Sequence, residues 1–171
     1  FRKDFLLSKD LRFDERFSFG EDCDFSARAL VMSEKAAFSP RCLYVYVQHE
    51  GMSTRASRAT KEKHFKCRMD ATLAHLNAAH YMAEHVRSPK ILKAVRHLLL
   101  PEYHLKMFKL YAWLGDYETF RKELGSPGMR RMLWSSWKVF FKEPQIFLKA
   151  FFLLAFPKLT FEVRRRTSRF K

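Results

Sequence analysis

Apolar positions fall at three- and four-residue steps over most of the chain. The first clear stretch runs from Glu21 to about Glu34, where Phe25, Ala29 and Met32 recur behind an acidic first turn. This spacing predicts a helix. A shorter helix is predicted over residues 2–9, and the irregular stretch after it offers Leu11, Phe13, Phe17 and Phe19 as anchors that pin a loop to a core. From Thr60 the helical period is sustained: Phe65, Met69, Leu73, Leu76, Ala79, Ala83 and Val86 form one stripe that ends near Ser88 and Pro89. Further helical tracts are predicted over residues 90–114, 116–124, 129–142 and 144–156. Pro101 should kink or split the first of these, because it lacks a backbone donor. Gly125, Ser126, Pro127 and Gly128 read as a linker, with Pro144 and Pro157 as separators.

Between the two helical zones the pattern changes. Ala36 to Phe38 predicts a short strand, Ser39 and Pro40 break it, and Cys42 to Val47 (CLYVYV) has the β-branched and aromatic content of a buried strand. Residues 48–59 lose all periodicity and gain Gly, Ser and Thr, which predicts a loop. The expected fold class is therefore α+β, mainly helical. A lobe with a short strand pair occupies residues 1–59, and a helical extension occupies residues 60–171.

Composition narrows the class. A hydrophobic fraction of 47% with 18 phenylalanines excludes a disordered basic tail, since such tails lack the apolar surface that offsets ordering entropy. The net charge of +15 is unevenly placed: residues 1–50 hold 8 Lys/Arg and 9 Asp/Glu, residues 51–171 hold 25 and 9. The basic part favours a polyanionic partner, either nucleic acid or an anionic membrane leaflet. Cys23, Cys42 and Cys67 lack metal-site spacing and read as reduced thiols. His75, His80 and His85 stand five apart and diverge around a helix, so they make no metal pair. No signal peptide opens the chain, and a start at Phe1 suggests a piece of a longer protein.

Candidate chemistry centres on Phe19-Gly20-Glu21-Asp22-Cys23-Asp24-Phe25, where two adjacent carboxylates follow a glycine at a loop-to-helix junction. Glycine lets backbone approach a ligand closely, and the helix N-terminus favours an ionised Asp22. Acidic residues at a helix start are most often caps, so the pair gains meaning from its surroundings. Asp22-Cys23-Asp24 also imitates a metal-binding DxD, but it lies inside a helical pattern rather than at a strand end.

The stretch FRKDFLLSKDLRFDERFSFGEDCDFSARAL followed by LYVYVQHEGMST resembles the distal half of bacterial family 2 glycosyltransferase domains of the GT-A type. The resemblance covers about residues 1–55 and rests on an LxFDE stretch, a GED with a following aromatic, and a YxY strand leading into a Gly/Ser loop. It implies inverting transfer of a sugar from a nucleotide-sugar donor to a glycan or lipid-linked acceptor, in surface polysaccharide assembly. Asp22 corresponds to the catalytic base and Glu21 to its neighbour in the acceptor site. His49 and Ser53 correspond to contacts with the donor diphosphate. A divalent metal, Mg or Mn, is expected in the complete enzyme, held mainly by an N-terminal nucleotide-binding part that these residues do not supply.

Residues 146–156 (IFLKAFFLLAF) form an apolar run too short to span a bilayer, which needs about 20 apolar residues. Lys138 and Lys142 precede it, and Lys158, Arg164, Arg165, Arg166, Arg169 and Lys171 follow. The run either packs on the preceding helices or lies in an anionic membrane interface, the expected location being the cytoplasmic face of the cell membrane. The alternatives are a basic helical nucleic-acid-binding module, for which no reading motif is present, and a non-catalytic membrane- or partner-docking helical domain.

Overall fold

The computed structural model describes residues 1–37, 39–42, 45, 47 and 61–168. Helix α1 spans Lys3–Ser8 and α2 spans Glu21–Met32, followed by the long α3 over Lys61–His85. Pro89 opens α4 (Pro89–Ala94), which passes through a π-helical turn at Val95–Leu99 into α5 (Leu100–Leu114). The remaining helices are α6 (Tyr117–Gly125), α7 (Pro127–Trp134), α8 (Pro144–Ala155) and α9 (Pro157–Ser168), with a 3-10 turn at Ser135–Val139 between α7 and α8.

The expected strand pair is not formed among the described residues. Among the described residues of the two segments (36, 37, 42, 45 and 47) none is in a strand, and every regular element among the described residues is helical. Phe38, Leu43, Tyr44 and Tyr46 lie outside the described residues, as does the loop expected at 48–59. The α+β, GT-A-type expectation is therefore corrected to an all-helical architecture. β-branched content rewards a strand only where a pleated, half-buried surface receives it, and Val45 and Val47 are 79% and 55% exposed. An isolated strand pair is marginal in water.

The helical expectations meet the structure with three changes. Pro101 does not split the tract; its effect appears one turn earlier, where Leu100 N–H donates to the Val95 carbonyl five residues back. Proline's ring crowds the carbonyl four residues before it, and His97 sits inside the widened turn. The expected four-residue linker shrinks to Ser126 alone, because Pro127 begins α7 and Gly128 lies within it. The basic tail after Pro157, assigned no element from sequence, forms α9 and buries Phe161.

Two buried clusters organise residues 61–168. One joins α5, α6, α7, α8 and α9 through Phe108, Phe120, Leu133, Leu153 and Phe161, with Phe120 ring centroids 5.2 Å from Phe108 and 5.1 Å from Phe161. Gly115 ends α5 in the left-handed conformation, and the Asp116 carboxylate caps α6 by accepting from Thr119 N–H at 2.9 Å. Arg164 of α9 donates to the Leu105 carbonyl of α5 at 3.1 Å. The second cluster joins α3 to α5 and the π turn through Leu76, Ala79, Val95, Met107 and Leu110. A third, smaller cluster of Leu11, Phe25 and Ala29 holds α1 to α2. Among the described residues no helix is long and apolar enough to cross a membrane.

Candidate functional site

Helix α2 begins where Gly20 takes φ 80°, a left-handed conformation that side-chain-bearing residues adopt at a cost. Gly20 also lies directly on α3: a Cβ there would stand 3.1 Å from Ala71 Cα and 3.2 Å from Ala74 Cβ. The glycine thus lets the first turn of α2 rest on the α3 backbone. Three carboxylates occupy that turn, Glu21, Asp22 and Asp24, and the fold gives them different fates.

Asp24 turns inward and is fully buried. It accepts from Arg28 Nε at 2.8 Å and from the Asn77 amide of α3 at 2.9 Å, while Arg28 also donates to the Arg12 carbonyl at 2.8 Å. A buried carboxylate needs this full set of partners. It follows that Asp22 and Asp24 diverge and cannot grip one ion together. Among the described residues no group of three or more His, Cys, Asp or Glu side chains could hold a metal. The acidic turn of α2 thus offers no shared cation site, and the divalent metal of the complete enzyme is expected mainly in a part outside these residues.

Asp22 remains exposed. Its Oδ1 accepts from Cys23 N–H at 2.8 Å, and the Cys23 thiol also hydrogen-bonds the Asp22 carboxylate. Glu21, half-buried, sits beside it. The Cys23 thiol is held above its ordinary range, first by burial and then by Asp22 and Glu21, which makes it a poor nucleophile. Of the four candidate residues, Glu21 and Asp22 are adjacent on α2; His49 and Ser53 lie outside the described residues.

Next to this turn runs a cleft of about 390 Å³ between α3 and α5, whose wall includes Ala71, the residue under Gly20. Arg68 lies over the Trp113 ring at 5.7 Å, and Lys106 lies over Tyr103 at 4.5 Å while pairing with Glu102 at 2.8 Å. His75 stacks toward Tyr103 with centroids 5.1 Å apart and shares a hydrogen bond with the Ala71 carbonyl. A carbonyl can only accept, so Nδ1 carries the proton of this bond. No protein-family model, curated protein or solved structure matches this chain. The cleft combines two basic side chains with two aromatic rings, Arg68 over Trp113 and Lys106 over Tyr103.

Sequence reasoning did not find Arg28, Asn77 or this cleft. Arg28 stands four residues after Asp24, the spacing of a helical ion pair, and was legible in principle. Asn77 is 53 positions away and carries no local signal. His75 and Trp113 read from sequence as ordinary solvated or packed positions, and Arg68 and Tyr103 carry no signal until α3 and α5 are set side by side. His104, facing His80 with centroids 5.9 Å apart, is pushed down to about 4 by burial first and then by that neighbour.

Proposed function

We propose that these residues form the acceptor-side part of an inverting sugar transferase resembling the family 2 glycosyltransferases, acting at the cytoplasmic face of a membrane. The observation that carries this reading is the placement of Asp22. It is an exposed carboxylate with one oxygen fixed by a backbone N–H, at a turn that Gly20 seats on Ala71, which also lines the α3–α5 cleft.

In this reading the Asp22 carboxylate takes the acceptor hydroxyl proton as the hydroxyl oxygen forms its bond to the anomeric carbon. The bond from the anomeric carbon to the donor phosphate breaks on the opposite face, and the nucleoside diphosphate leaves with the electron pair. Glu21 orients the acceptor, and the aromatic and basic side chains of the cleft hold its sugar or phosphate portion. A nucleotide-binding part, with its metal, is expected outside residues 1–171.

The test is Asp22→Asn in the enzyme carrying that part. Transfer should fall more than about 100-fold through loss of general-base help, while donor binding, read by titration calorimetry, stays within about twofold. Unchanged transfer would remove Asp22 from the mechanism and favour a non-catalytic docking domain.

A further inference from the structure

We infer that α7, the 3-10 turn and α8 together form a face that seats on an anionic lipid bilayer. This rests on the location given to the proposed transferase and not on its chemistry. Helix α8 buries Ile146, Ala150 and Leu153 against the bundle, so one side of its apolar run is used for packing. The other side is not. Leu148, Phe152 and Phe156 follow one another at four-residue steps and are 44%, 52% and 51% exposed.

The exposed side is continuous with the turn before it. Ring contacts run from Phe141 to Phe140 at 5.6 Å, on to Phe147 at 5.4 Å, then to Phe151 at 6.2 Å and Phe152 at 5.9 Å. Trp134 of α7 joins the row at Phe147, 6.0 Å away. Phe141 is 98% exposed, and Trp134 and Trp137 are about half exposed. A contiguous aromatic surface of this kind marks an interaction site rather than ordinary surface.

Charge selects the occupant. Residues 130–158 hold six basic side chains, Arg130, Arg131, Lys138, Lys142, Lys149 and Lys158, against a single acid, Glu143. A second copy of a chain carrying +15 would meet the same sign across the contact. Nucleic acid would satisfy the cations but leave the aliphatic Leu148 in contact with water. A bilayer interface takes both, because tryptophan and phenylalanine settle at headgroup depth while cations meet anionic lipid phosphates.

A cleft of about 420 Å³ sits within the face, walled by Trp134, Phe151, Leu154 and Ala155 with Arg130 and Arg131 also lining it. Its apolar wall with two guanidinium groups matches an anionic amphiphile: a headgroup phosphate on the arginines and the start of an acyl chain against the rings.

The chain of residues 1–171 is mixed with vesicles of phosphatidylglycerol and phosphatidylcholine, with vesicles of phosphatidylcholine alone, and with a single-stranded oligonucleotide. Sedimentation with the anionic vesicles alone is expected, with a blue shift of tryptophan emission and its quenching by brominated lipid. Phe141→Ser, Phe152→Ser and Phe156→Ser combined should weaken vesicle binding at least about tenfold, since exposed apolar contacts carry the interfacial term. These positions are exposed, and an unchanged helical circular-dichroism signal verifies that the variant is folded. Failure to bind anionic vesicles overturns the inference. So does binding that the triple variant leaves intact, a dimer that the variant dissolves in the absence of vesicle binding, or tight oligonucleotide binding in its place. The assay reads no transfer, so its failure leaves the role of Asp22 standing.

Discussion

The two ends of the molecule are held together by different physics. Residues 1–32 have a small cluster of Leu11, Phe25 and Ala29, and they join α3 through a fully buried carboxylate with charged and amide partners. Residues 100–168 are held mainly by interlocked rings and leucines, with Arg164 of α9 donating to the Leu105 carbonyl as a polar tie. A polar joint fixes one orientation but fails completely when a partner is lost, whereas an apolar core degrades in proportion to the volume removed. The candidate carboxylates sit on the polar joint, where the position of one turn matters most. The face proposed to dock on a bilayer sits on the apolar bundle, which can carry exposed aromatics on one side because its other side is well packed.

The largest effect should come from the apolar end. Phe120→Ala removes a fully buried ring that touches Phe108, Tyr117 and Phe161, and should cost about 4 kcal/mol in urea unfolding. A loss below about 1 kcal/mol would mean that the bundle core does not govern stability.

Asp24→Ala attacks the other end. It leaves the Arg28 guanidinium and the Asn77 amide without their acceptor, at a cost of about 3 kcal/mol. Amide hydrogen exchange should accelerate in residues 1–32 while α5 to α9 keep their protection. Equal acceleration in both would show that the two regions unfold as one and that their contrast has no energetic content.

The smallest effect lies at His104, on the side of α5 that faces His80 of α3. Burial and His80 hold its imidazole at about 4, against an ordinary value of 6.5. Between those values the unfolded chain binds a proton that the folded chain refuses. Stability is thus complete above about 6.5 and declines as pH falls through the window, by about 2 kcal/mol after discounting partial solvent access. His104→Leu should flatten the decline in urea midpoints measured at pH 7, 5.5 and 4. A slope unchanged by the substitution would assign the acid sensitivity elsewhere.

Much of this architecture was legible because helical periodicity is local. The stripes of α2, α3 and α5 were readable from positions such as Phe25 and Ala29 or Leu76 and Ala79, and the turn bearing Glu21 and Asp22 was placed from Gly20 and the acids after it. The strand expectation at Cys42 to Val47 failed for the reason that helices succeeded. A helix satisfies its backbone within one segment, but a strand must borrow donors and acceptors from another, and no local pattern says whether that partner exists. Sequence also determined the uneven charge and the apolar run of α8, without deciding which side of that run would be buried. Only the tertiary structure separated Asp22 from Asp24, turning one into an exposed carboxylate and the other into a buried anchor. That choice depends on Asn77, 53 positions from Asp24 along the chain, on Ala71 of the same helix α3, and on the absence of a side chain at Gly20 that lets α2 reach them.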